Sequence, residues 1–150
     1  MVNFTKVLPD ITQKEIAAVT KILQSGVLSI GPAQEEFERR FAAKVGTKYA
    51  VAVSSGTAGL HLCMLAAKIG SEEEVITTPF SFVASANVIL YVGAKPIFAD
   101  IDPLTYNIDP KKIEEKITPK TKALLVVHIF GQAADMDPIN KTARKYKLYV

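Results

Sequence analysis

Apolar positions recur at helical spacing through the first third of the chain and then gather into short runs. Thr12 followed by Glu15 has the spacing of a capping box, and Ile16, Val19, Ile22 and Leu23 fall on one face after it. Ser25-Gly26 closes this predicted first helix. The short VLSIG connection leads to Pro32, which suits the first turn of a second helix. Phe37, Phe41 and Val45 mark that helix's apolar face, and Gly46 ends it.

From Tyr49 the pattern changes. YAVAV reads as an apolar strand, SSGTAG as a small-residue turn, and LHLCMLAAKIG as a helix stopping at Gly70. VITT is the next predicted strand, and after Pro79 a helix is expected from about Phe82 to Tyr91. KPIFADID reads as a strand running into acidic residues. Asp109-Pro110 opens a helix with Ile113 and Ile117 turned inward. KALLVVHIF is the most apolar strand, Asp137-Pro138 starts another helix, and KLYV begins a final strand. Strands that are continuous apolar runs, alternating with helices, predict a three-layer α-β-α fold around a mainly parallel sheet. Right-handed crossovers are expected throughout. No internal repeat or low-complexity segment is visible.

The twenty uncharged residues from Val75 to Ala94 are long enough to span a bilayer. Pro79 and the hydroxyl and amide side chains among them argue instead for a buried strand, a proline turn and a buried helix. A chain of 150 residues that is 49% hydrophobic and 22% charged is that of an ordinary globular protein. A formal charge of +3 is too weak to argue for nucleic acid, and there is no helix-turn-helix signature. The single cysteine, Cys63, excludes an internal disulfide and a Cys-rich metal site. The N-terminus lacks a basic segment followed by an apolar run, so a cytoplasmic protein without a leader is expected. The sequence stops three residues into an apolar strand, as the first part of a longer chain would.

Four segments carry candidate chemistry. Ser54-Ser55-Gly56-Thr57-Ala58-Gly59 follows a strand and opens a helix, where backbone N–H groups and the positive helix end suit a phosphate. Ser55 and Thr57 add hydroxyl donors, but the turn has neither the dinucleotide-binding nor the P-loop fingerprint. A plain capped turn is the other reading. In TPFSFVASAN, Phe80 and Phe82 follow Pro79 at a strand's end, where a ring can stack on a planar ligand or simply pack in the core. Asp100 and Asp102, with Asn107 and Asp109 nearby, suit a metal or an acid–base pair, or else the turns and caps of a loop. His128 ends an apolar strand and either pairs with Asp135 or ties its own loop together. His61 reads as a helix-face residue, Cys63 as core-facing and unactivated, and Lys141, Arg144, Lys145 and Lys147 as a solvated face.

Taken in order, GPAQEEFERRFAAKVGTKYAVAVSSGTAGLHL, TPFSFVASANVILYVGAKPIFADIDPLTYNID and VHIFGQAADMDPI resemble the DegT/StrS-type sugar aminotransferases. The resemblance runs from about Gly31 to Val150, and helix 12–25 also fits. It implies a pyridoxal 5'-phosphate (PLP) enzyme of the aspartate-aminotransferase fold type I, with residues 1–30 an N-terminal helical segment. Residues 31–150 would be the first part of the PLP-binding large domain. It further implies that Ser55, Gly56 and Thr57 hold the cofactor phosphate and that the ring of Phe82, five residues before Asn87, stacks on the pyridine face. His128 would border the pocket. Gly59 stands where the family often has Ala, a mild departure.

No catalytic residue is carried over, because the family's Schiff-base lysine and the acid that pairs with the pyridinium nitrogen match nothing in this sequence. Both are expected beyond Val150, so the piece by itself is expected to be inactive. No metal is implied. The resemblance implies transfer of an amino group, commonly from glutamate, to a nucleotide-linked keto-sugar, in a homodimer with shared active sites. A PLP-dependent dehydratase relative with His in place of the lysine, a regulatory relative, and a simple phosphate- or nucleotide-binding α/β domain remain open alternatives.

Overall fold

The computed structural model describes residues 9–150; the first eight residues, on which part of the leader reading falls, lie outside the described residues. The chain forms two compact units, one ending at Ala52 and the other spanning Val53–Val150.

The first unit holds α1 (Gln13–Ser25) and α2 (Pro32–Val45). Both halves of the capping box are present at Thr12, where the Thr12 N–H donates to Glu15 Oε2 at 2.7 Å. Gly26 and Gly46 close the helices at φ 72° and 74°, the left-handed turn that glycine adopts without strain. The predicted apolar faces form but find no core of their own among the described residues. Ile16, Val19, Ile22, Leu23, Phe37, Phe41 and Val45 are all exposed, and Ala42 is the one buried residue of the two helices. Two short helices offer each other too little apolar surface to close a core.

YAVAV forms no strand. Residues 49–53 have no ladder partner among the described residues, and Val51 is exposed. Apolar, β-branched composition favours an extended chain, but only a neighbour with free N–H and C=O groups makes it a strand. The Ala52 N–H is instead taken up by the Glu38 carboxylate at 2.8 Å. That bond, with a second from Gln34, holds the Glu38 carboxyl below its usual range.

In the second unit β1 (Glu74–Thr77) lies between β2 (Lys95–Phe98) and β3 (Thr121–Leu124), all parallel. Every residue of β1 is buried, as a strand covered on both faces requires. Val75, Ala123 and Leu125 face one core with Met64 of α3 (Gly56–Ala66) and Val88 and Ile89 of α4 (Ala84–Tyr91). Ile76 and Leu124 face the other, with Ile108, Ile113 of α5 (Pro110–Glu114), and Ile139 and Ala143 of α6 (Met136–Tyr146). The three-layer α-β-α expectation therefore holds. The chain leaves β1 for β2 through α4 and returns across to β3 through α5, on the opposite face. Crossovers of one hand demand that change of face.

Several boundaries move. β3 is shorter than KALLVVHIF: after Leu124 the Leu125 N–H still donates to Ile76 O at 2.8 Å, and then the chain leaves the ladder. KLYV contributes a single parallel bridge, Ala123 to Tyr149. Helix α4 starts at Ala84 rather than Phe82, and α6 starts at Met136, so Asp137 and Pro138 lie in its first turn. Cys63 is exposed, not core-facing. Nearly every position of α3 is apolar, so periodicity does not choose its inner face; Leu60 and Met64 take it, with Ala67 just past the helix end. The uncharged stretch 75–94 resolves into β1, the Pro79 turn and α4. Among the described residues, no helix is long and apolar enough to cross a membrane.

Candidate functional site

Parallel strands finish at one edge of a sheet, and that edge here carries most of the candidate residues. In the order β2-β1-β3, the connection from β1 turns to one side and the connection from β3 to the other. Between β1 and β3 the sheet thus has a switch point, where open α/β sheets leave a crevice for ligands. The ladder stops there, and the Thr77 hydroxyl closes it by donating to Leu125 O at 2.9 Å.

Helix α3 feeds β1 through the short turn 67–73, so its C-terminal end lies by the start of β1 and its N-terminal end by the finish. Ser55 is the N-cap, with extended backbone, and its Oγ accepts the Ala58 N–H at 3.1 Å. Because that oxygen only accepts, its own hydroxyl proton is left to donate elsewhere. The N–H groups of Gly56 and Thr57 have no partner among the described residues, as the first turn of a helix dictates. A Cβ built on Gly56 would meet nothing within 4 Å, and its φ is not left-handed. The chain's own packing and backbone therefore do not require glycine at position 56. Open space over two unpaired amide donors is what a close-lying anion requires.

The exit from β1 is shaped by Thr78, whose buried side-chain oxygen accepts the Phe80 N–H at 3.2 Å across Pro79. Phe80 and Phe82, two residues apart, have different surroundings. The Phe80 ring packs against Tyr106 and Phe130, with centroids 5.7 and 6.2 Å away. Phe82, just ahead of α4, is 78% exposed and has no aromatic partner among the described residues.

The acidic residues after β2 are engaged with backbone. Asp102 Oδ1 accepts the N–H groups of Leu104 and Thr105, each at 2.9 Å, and the Thr105 hydroxyl at 3.2 Å. The Thr105 and then the Leu104 amide hold its carboxyl below the ordinary aspartate value. Asp109 caps α5 through the Lys111 N–H at 2.9 Å, and Asp100 accepts the Ile101 N–H at 2.8 Å. Among the described residues, no cluster of three His, Cys, Asp or Glu side chains suits a metal ion. The turn-and-cap reading of this segment is the one the geometry supports.

His128 ties its own loop together. Its Nδ1 accepts the Ala134 N–H at 3.0 Å, which leaves the proton of a neutral ring on Nε2. His61 lies edge-on to Tyr91, with ring centroids 5.6 Å apart. The sequence reading did not anticipate the role of Asn107. Its buried carboxamide accepts the Ile129 N–H at 3.0 Å and donates to the carbonyls of Gln132 and Ala133, at 3.2 and 3.4 Å. Nothing local signals this, because the partners lie more than twenty positions away.

The chain is similar to known proteins over nearly its whole length. It is 52% identical over 143 residues to the spore coat polysaccharide biosynthesis protein SpsC of Bacillus subtilis, covering 95% of this chain and 37% of that protein. It is 43% identical over 140 residues to UDP-2-acetamido-2-deoxy-3-oxo-D-glucuronate aminotransferase of Pseudomonas aeruginosa, covering 93% of this chain and 39% of that protein. The crystal structure of NtdA from Bacillus subtilis with bound cofactor PMP superposes with a TM-score of 0.87 at 40% identity, over 92% of this chain and 33% of that one. The chain thus spans well under half the length of these relatives. With the family profile matching residues 9–150, the chain belongs to the DegT/DnrJ/EryC1/StrS aminotransferase family.

Proposed function

We propose that the chain is the N-terminal part of a PLP-dependent aminotransferase that moves an amino group, from glutamate, to a nucleotide-linked keto-sugar. Family membership supports the reaction class, the Pseudomonas relative's name supports a nucleotide-sugar acceptor, and the PMP in NtdA supports the cofactor. The observation that carries the reading is the start of α3. Two unpaired amides, the Ser55 and Thr57 hydroxyls and the open space at Gly56 suit a phosphate group there.

When bound, PLP supplies an electron sink for the bond changes at the amino carbon. In the proposal Gly56 and Thr57 anchor the phosphate through backbone N–H groups, and the two hydroxyls fix its orientation. Phe82 is the stacking residue, since Phe80 is already engaged with Tyr106 and Phe130 whereas Phe82 has its ring exposed. His128 borders the pocket with its Nε2–H. The lysine that moves the proton and the acid facing the ring nitrogen are assigned to no residue of this chain; the proposal places them in sequence following Val150. Residues 31–150 are then the first part of the PLP-binding large domain, with the helical segment 1–30 ahead of it. The exposed apolar face of α1 supports a protein that assembles, and we read the whole enzyme as a cytoplasmic homodimer.

The test uses the full-length protein. Reconstituted with PLP, it is expected to keep a visible cofactor absorbance through dialysis, to lose it on adding glutamate, and to regain it on adding a nucleotide-linked keto-sugar. A protein that retains no PLP, or whose bound PLP does not respond to any amino donor, would overturn the proposal.

A further inference from the structure

Beyond the cofactor residues, the switch-point edge carries three aromatic rings from three different strand exits. Phe80 follows β1, Tyr106 follows β2 and Phe130 follows β3. Phe80 lies at the centre, tilted 32° to Tyr106 and nearly perpendicular, at 81°, to Phe130. Such offset and edge-to-face pairs are favourable beyond simple burial. The two outer rings sit on left-handed backbone, with φ 59° at Tyr106 and 53° at Phe130. Bulky residues rarely adopt that conformation, and it persists only where the surroundings fix it.

The surroundings do fix it. Asp102 closes the 102–105 turn, and the Tyr106 N–H donates to Asp102 O at 2.8 Å. The three hydrogen bonds of buried Asn107 and the His128–Ala134 bond hold the loop on either side of Phe130. Yet the ring so held is not buried: Phe130 is 83% exposed. Among the described residues the ring meets Phe80 edge to face and is otherwise mostly uncovered, although its backbone is held in a strained conformation. Its exposure leaves most of the ring accessible, at the edge where the parallel strands finish. A flat π-face meets a planar π-group best, because offset stacking uses the whole ring.

We infer that Phe130, backed by Phe80 and Tyr106, is the stacking wall for the nucleobase of the nucleotide-linked acceptor. This rests on the proposed function, because it presumes a nucleotide-bearing second substrate. It assigns Phe130 to the acceptor and leaves the phosphate and ring contacts of the cofactor to Ser55, Gly56, Thr57 and Phe82.

The test measures binding of UDP, GDP and dTDP to the PLP-loaded full-length protein by calorimetry, beside the donor half-reaction with glutamate. Phe130→Leu keeps apolar bulk and loses the π-face, and is expected to weaken the best-bound nucleotide by roughly 5- to 100-fold. Phe130→Tyr, which keeps the ring, should stay within about twofold of the parent. Phe130→Asn, whose side chain suits left-handed backbone, should repeat the loss seen with Leu. In all three the donor half-reaction should run at the parent rate, which reports an intact fold and cofactor site. Parent-like nucleotide affinity in Phe130→Leu and Phe130→Asn would overturn the inference while leaving the aminotransferase reading in place. A parent that reacts with glutamate but binds none of the nucleotides would overturn it together with the acceptor assignment. A parent without PLP chemistry would fail at the earlier proposal.

Discussion

The Thr77 hydroxyl donates to the Leu125 carbonyl at 2.9 Å, joining β1 to β3 one step beyond the end of their backbone ladder. Both residues are buried, so no water competes for that carbonyl. Thr77→Val keeps the shape of the side chain and removes the donor. The full-length protein is expected to lose about 1–3 kcal/mol, the cost of leaving a buried acceptor unpaired. Urea unfolding checks this, and a variant indistinguishable from the parent would show that the carbonyl finds another partner.

Asp102 gives the pH prediction. Its carboxylate accepts the Thr105 and Leu104 amides, which hold its pKa below the ordinary value of 3.8. A carboxyl with a lowered folded pKa contributes stability that is complete above its unfolded pKa and is lost as the pH falls through the folded one. The parent should therefore lose stability relative to Asp102→Asn only below about pH 4. Denaturation midpoints measured from pH 7 down to pH 3 would show it. A constant difference across that range would mean the turn does not depend on the charge.

How much of this was legible in the sequence depends on how local each signal is. The capping box at Thr12 and Glu15, the Pro32 helix start and the Asp109 cap are written within four residues and form as read. The parallel sheet was legible because VITT and the first half of KALLVVHIF are apolar enough to be covered on both faces. YAVAV has the same character but no neighbour to pair with among the described residues, and pairing is not a property of a single segment. Cys63 was misplaced because a uniformly apolar helix has no readable inner face. At the candidate site, the SSGTAG turn and the Phe82 ring were visible as motifs. The Asn107 latch and the Phe80–Tyr106–Phe130 cluster join residues far apart in the chain, and only the fold brings them together.

Gly56→Ala separates a ligand's demand from the chain's own. The added methyl meets no atom within 4 Å, and the backbone there is not left-handed. Folding stability should stay within about 0.5 kcal/mol of the parent, or rise slightly, since alanine restricts the unfolded chain. A phosphate lying against the Gly56 amide would instead meet that methyl, so PLP affinity should fall by roughly tenfold or more, a loss of about 1.4 kcal/mol. Cofactor titration beside thermal unfolding in the apo-protein reads both. Unchanged PLP affinity would remove the phosphate from this turn.

The two phenylalanines after Pro79 should differ in what their removal damages. Phe80 touches Tyr106 and Phe130 and is less exposed than Phe82, so Phe80→Ala removes ring contacts that the fold makes with itself. An apo-protein carrying Phe80→Ala should lose about 1–3 kcal/mol, less than a fully buried ring would cost. Phe82 is 78% exposed, and Phe82→Ala should leave apo-protein stability within about 0.5 kcal/mol, as exposed substitutions do. The order should reverse for the cofactor: if Phe82 stacks on the cofactor ring as proposed, Phe82→Ala exposes that ring to water and is expected to release PLP faster and to shift its absorbance. Phe82→Tyr should restore both. If Phe80→Ala loosened the cofactor more than Phe82→Ala at equal saturation, the stacking role would pass to Phe80, and the five-residue spacing to Asn87 would no longer identify the cofactor's aromatic.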